Sequence, residues 1–125
     1  MVIGIGIDLI ESARLERALR EWGARFEQRV FSDGELAACA GRVDRVQALA
    51  ARFAAKEACL KALGTGVAQG LSLRQVEVVR ASGSAPRIVL HGAAAEKAKA
   101  LGVTNIQVSL THQKLAAAAV VILEG

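Results

Sequence analysis

Val2-Ile-Gly-Ile-Gly-Ile-Asp-Leu-Ile10 is the stretch that most limits the architecture. Its branched aliphatic residues alternate with glycine at the two-residue period of a strand. Ile3, Ile5, Ile7 and Leu9 therefore share one face, and Gly4, Gly6 and Asp8 the other. Glycine inside a strand forfeits packing and loses backbone entropy, so it suits positions where another backbone must come close. The pattern predicts a helix crossing the glycine face, with Asp8 projecting past the crossing. A solvated strand-end carboxylate is the plainer alternative for Asp8. A dinucleotide fingerprint does not fit, because Gly4-Ile-Gly6-Ile-Asp8 lacks the third glycine and the helix start.

The helix available for that crossing runs from about Asp44 to Leu63 and is closed by Gly64-Thr-Gly66. At about 100° per residue, Val46, Leu49, Ala50, Phe53 and Leu60 form an apolar stripe, and Glu57 falls inside it. An ionised carboxylate facing a core is unfavourable by on the order of several kcal/mol unless a cation compensates it. Two readings stay open: an i,i+4 pair with Lys61 on a partly exposed edge, or a metal ligand with lysines beside it. The glycines that stop the helix also allow backbone N–H groups at Gly64 to approach a phosphate.

Should this helix be the one that crosses, Asp8 and Glu57 converge. Two carboxylates with open positions suit magnesium, which takes one or two protein carboxylates and fills its octahedron with water and phosphate oxygens. Lys56 and Lys61 are expected to offset phosphate charge, with Lys61 one turn beyond Glu57. No cysteine–histidine set has zinc spacing, and no Walker-type loop is present.

The other segments are read as follows. Ser12 is expected to cap a helix through Trp22, ended by Gly23, whose arginines include Arg14, with Arg25 following. These basic residues form either a solvated face or a docking surface for an acidic helix. Ser32 and Glu35 have the capping-box spacing for a short helix through Cys39. Strands are expected over Val76–Val79, Arg87–Leu90, Ile106–Leu110 and about Leu115–Leu123, with a helix from Gly92 to Leu101. His112 then falls at an exposed hairpin tip. The order of elements predicts one α+β domain over 1–125, a mostly antiparallel sheet packed on the long central helix.

Alanine supplies 25 of the 125 residues and only Trp22, Phe26, Phe31 and Phe53 are aromatic, so the core is built from small side chains. Part of the apolar surface is expected to be buried against other copies of the chain. A formal charge of +4 and a pI near 9.6 favour anionic partners. The scarcity of aromatic residues argues against stacking on single-stranded nucleic acid, and nucleic acid is not the expected partner. Cys39 and Cys59 read as buried free thiols. The longest apolar run, Leu115–Leu123, is too short to span a bilayer as a helix, and no secretory signal is expected, which predicts a cytoplasmic protein without membrane association.

Three motifs together carry a resemblance: Gly4-Ile-Gly-Ile-Asp8 with Glu11, Arg52-Phe-Ala-Ala-Lys-Glu-Ala58 with Lys61-Ala62, and Ser109-Leu-Thr-His112 before the alanine-rich strand. In order, spacing and chain length they resemble the holo-[acyl-carrier-protein] synthase family, the small 4′-phosphopantetheinyl transferases. Ala116 departs from the pattern, standing where relatives often have an aromatic residue. The resemblance implies transfer of 4′-phosphopantetheine from coenzyme A to a serine of apo acyl carrier protein, by a homotrimer with sites between subunits. It further implies magnesium on Asp8 and Glu57, phosphate contact by Lys61, and coenzyme A binding around Arg52, Gly64, Ser109 and His112. Arg14 and Arg25 match positions that face the acidic carrier. A non-catalytic module that binds coenzyme A or the carrier is the rival reading.

Overall fold

The computed structural model describes residues 1–64 and 70–125. Strand β1 (Val2–Glu11) runs without a loop into helix α1 (Ser12–Trp22), followed by α2 (Ala24–Val30), α3 (Asp33–Cys39) and the long α4 (Arg45–Ala62). A single 3-10 turn at Leu73–Gln75 leads to β2 (Val76–Val79) and β3 (Arg87–Leu90). Then come α5 (Gly92–Leu101), β4 (Asn105–His112) and β5 (Ala116–Glu124). All pairing is antiparallel: β1-β5-β4 form one sheet, and β2-β3 stand apart as a hairpin. The α+β class and the helix-backed antiparallel sheet agree with the order of elements.

The glycine face of β1 is where α4 crosses. A Cβ on Gly6 would collide with the carbonyl oxygen of Ala58, and one on Gly4 with that of Ala62. Helix backbone replaces side chain as the packing surface, and small residues on α4 permit the approach. The opposite face of β1 is left open.

Three local expectations need correction. Ser12 does not cap α1; it is the first helical residue, and its hydroxyl is buried without a partner. With no loop between β1 and α1, the Ser12 N–H instead donates to the Leu115 carbonyl at 2.9 Å. His112 is the last residue of β4, paired with Ala117, and the hairpin tip lies just beyond it. The apolar stripe assigned to the long helix is also wrong. The sheet on one side and α1, α3 and β2 on the other bury α4 almost all round, including Arg52 and Lys56. Val46, Phe53, Glu57 and Lys61 form its partly open stripe. By contrast, the Ser32–Glu35 capping box forms as expected, and Cys39 and Cys59 are buried free thiols.

Candidate active site

Asp8 follows Gly6 on the face of β1 that meets α4, so its carboxylate points into the edge of the crossing. Asp8 Oδ1 accepts a hydrogen bond from Lys61 Nζ at 2.9 Å, and the same ammonium donates to the Ile7 carbonyl at 3.1 Å. Lys61 thus bonds back to the strand, in place of the i,i+4 pair with Glu57 that was one of the two open readings. It stays half exposed, whereas only 17% of the Asp8 side chain is exposed, leaving a cation at the mouth above a sheltered anion.

Glu57, one turn before Lys61 on α4, lies within electrostatic reach of this pair. Partial burial pushes its carboxyl above the ordinary value and the neighbouring Asp8 carboxylate adds to the effect, while Lys61 and Arg14 oppose it. A carboxylate whose proton affinity is raised by burial and by a second carboxylate nearby marks a site whose repulsion a dication relieves. The donors are hard oxygens. No cluster of three or more potential ligands occurs among the described residues. A two-carboxylate site is what magnesium uses when phosphate and water complete its shell. The residues present fit that ion.

Lys56 does not join this site, contrary to expectation. It is fully buried and bonded to Glu35 Oε1 at 2.5 Å, because α4 turns it towards α3 and β2. Burial pulls its pKa below the ordinary lysine value, with Glu35 working against that.

A second cluster holds two other expected residues. Arg52 and His112 line a cleft of about 290 Å³ with Arg42, Arg80 and Thr111. Arg52 is only 8% exposed; its guanidinium donates to the Ala48 carbonyl at 3.2 Å, and its Nε is buried without a partner. An unspent donor beside Arg80, His112 and an Arg42 already paired with Asp44 gives a cleft whose chemistry suits an anion. Arg42 and Arg80 escaped the sequence reading, since they come from loops that approach Arg52 only in three dimensions.

The remaining expected residues are scattered. Gly64, at φ 87°, terminates α4 by donating its N–H to the Lys61 carbonyl at 2.9 Å, the ordinary helix-stop role. Thr65 and Gly66 of the expected phosphate turn lie outside the described residues. Ser109 is exposed on the sheet face opposite Asp8, beside Val120, so a single chain does not bring the two together. Arg14 is exposed on α1, near enough to act on Glu57. Arg25 lines a groove of about 520 Å³ with Trp22, Phe26, Gln28 and Arg29.

An α+β fold with a glycine-strand crossing, a carboxylate pair and a guarding lysine defines a phosphate-handling class. A family model for the 4′-phosphopantetheinyl transferase superfamily matches residues 4–120, and the chain belongs to that superfamily. The holo-[acyl-carrier-protein] synthase of Desulfovibrio desulfuricans is 47% identical over 125 residues, spanning 100% of this chain and 99% of the relative. That of Solibacter usitatus is 41% identical over 125 residues, with 100% of each covered. Among solved structures, the holo-[acyl-carrier-protein] synthase of Neisseria meningitidis has a TM-score of 0.88 at 30% identity, covering 100% of both chains. The Helicobacter pylori synthase, in complex with coenzyme A, has a TM-score of 0.84 at 31% identity, covering 96% of this chain and 99% of that one. No helix among the described residues is long and apolar enough to cross a membrane.

Proposed function

We propose that residues 1–125 form one transferase domain that moves 4′-phosphopantetheine from coenzyme A to a serine of apo acyl carrier protein, releasing adenosine 3′,5′-bisphosphate. It works in the cytoplasm, with magnesium, as a homotrimer serving fatty acid biosynthesis. The observation that carries this reading is the Asp8–Lys61 ion pair set beside Glu57, at the point where α4 meets the glycine strand.

Asp8 and Glu57 would hold the magnesium, which when bound neutralises diphosphate charge and polarises phosphorus. Lys61, half exposed, with its ammonium held by the Ile7 carbonyl and the Asp8 carboxylate, faces the non-bridging oxygens that gain charge during transfer. The serine Oγ forms its bond to the β-phosphorus as the bond from that phosphorus to the bridging oxygen breaks. The departing group is adenosine 3′,5′-bisphosphate. The serine proton passes to the Glu57 carboxylate or to a water beside it. Arg52 and His112, with Arg42 and Arg80, form a cleft suited to the nucleotide's remaining phosphate. Arg14 and Arg25 face the acidic carrier helix.

Incubation with coenzyme A, magnesium and an apo carrier should add about 340 Da to the carrier, the mass of the group moved in this phosphoryl-transfer chemistry. Coenzyme A binding without that gain would establish the non-catalytic module instead, and neither binding nor gain would reject both.

A further inference from the structure

Lys56 neighbours Glu57 yet takes no part in the chemistry above, and its side chain has 0% exposed surface. Its ammonium donates to Glu35 Oε1 and to the Val76 carbonyl, and lies 5.6 Å from the centre of the Phe31 ring. Glu35 completes the arrangement. Its Oε1 also accepts from the Ser32 N–H at 2.8 Å, and its Oε2 from the Val78 N–H at 2.9 Å.

The Gln75 carbonyl accepts the His91 N–H, so odd-numbered backbone groups of this segment face β3. Val76 C=O and Val78 N–H therefore point to the other edge of the hairpin. Lys56 and Glu35 serve that edge as a strand would, one donating and the other accepting. Helices α3 and α4 and strand β2 are tied at this one point.

A buried ion pair is a poor source of stability, because apolar residues of similar volume avoid the cost of desolvating two charges. What this pair supplies is direction. Successive helix residues are about 100° apart, so a Lys56 locked towards β2 fixes the turn of α4 about its own axis and keeps Glu57 on the partly open stripe with Phe53 and Lys61. We propose that the Lys56–Glu35 pair is the positioning element of the active centre, aiming Glu57 into the space it shares with Asp8 and thereby setting the affinity of that space for a divalent cation. The inference rests on the carboxylate-pair reading given above.

The test titrates Mn²⁺, a paramagnetic substitute for Mg²⁺, into the full chain by electron paramagnetic resonance, alongside thermal unfolding. Variants are Lys56→Met and the neutral double variant Lys56→Met/Glu35→Gln, in which the glutamine carbonyl still accepts a backbone N–H. Loss of an outer partner that orients a ligand weakens metal binding by about tenfold to a hundredfold, and that loss is expected in both variants. The double variant is also expected to regain most of the melting temperature lost by Lys56→Met, and it decides the question alone if the single variant does not fold. Wild-type Mn²⁺ affinity in a folded variant overturns the proposal, since a merely structural role moves only the melting temperature. A wild-type chain that binds no Mn²⁺, or a Glu57→Gln variant that binds it undiminished, defeats the carboxylate-pair reading and the positioning role with it.

Discussion

At the residue scale, Glu57 is held in a state that chemistry wants and folding does not. Burial first, and then Asp8, raise its folded-state proton affinity above that of the unfolded chain. A group raised in this way contributes its full stability below its unfolded value of 4.5, and the contribution is lost as pH rises through the folded value. At neutral pH without metal, the ionised carboxylate is therefore a liability. Glu57→Gln should melt higher than wild type at pH 7 in chelator, with the advantage disappearing below about pH 4.5. Added magnesium should narrow the gap by stabilising only wild type. Transfer by the variant should fall by on the order of 10² to 10³, the scale of losing a group that stabilises transition-state charge. Melting curves across pH and single-turnover assays check the two halves separately; a variant less stable at neutral pH would mean Glu57 is not strained.

At the element scale, the crossing of β1 by α4 is the joint that brings Asp8 to Glu57 and Lys61. Gly6→Ala puts a methyl group where the Ala58 carbonyl already sits, and neither neighbour is a side chain that can swing aside. The helix must shift, and overpacking of this kind costs about 1–3 kcal/mol or more. Urea unfolding should show that loss, and transfer should drop further than the unfolded fraction explains, because the carboxylates separate. This joint was legible in the sequence, since alternating glycine has few other uses in a strand. Glu57 was singled out for a partly mistaken reason. Alanine on every side of α4 removes the contrast between a polar and an apolar face, so periodicity could not reveal that Lys56 is the buried charge and Glu57 the half-open one. The basic cleft around Arg52 was legible only in part, because Arg42 and Arg80 reach it from separate loops. Ser109 carried a motif, but its position on the far face of the sheet depends on the register with β5.

At the scale of the whole molecule, that far face is the unfinished part of a single chain. Ile5, Ile7 and Leu9 are 66%, 69% and 70% exposed, and β5 continues the patch in register with Ile122, Val120 and Ala118. The β4 edge of the same face is polar, with Gln107, Ser109 and Thr111 opposite those three residues. Burying a large aliphatic side chain is worth about 1.5–3 kcal/mol, so the row along β1 alone is a strong incentive to associate. The proposed trimer supplies the cover. It also accounts for Ser109, which in this scheme meets coenzyme A only where a neighbouring copy brings its own Asp8 face alongside. Ile7→Glu places a charge in the middle of the patch without touching the crossing, since the side chain points away from α4. Sedimentation at micromolar concentration should give three chains for wild type and one for the variant, with helical circular dichroism retained. Coenzyme A binding should weaken together with the loss of mass, and dilution of wild type should reproduce both effects. If wild type sediments as one chain and still transfers at full rate, the exposed face serves some other contact and each site is complete within its own subunit.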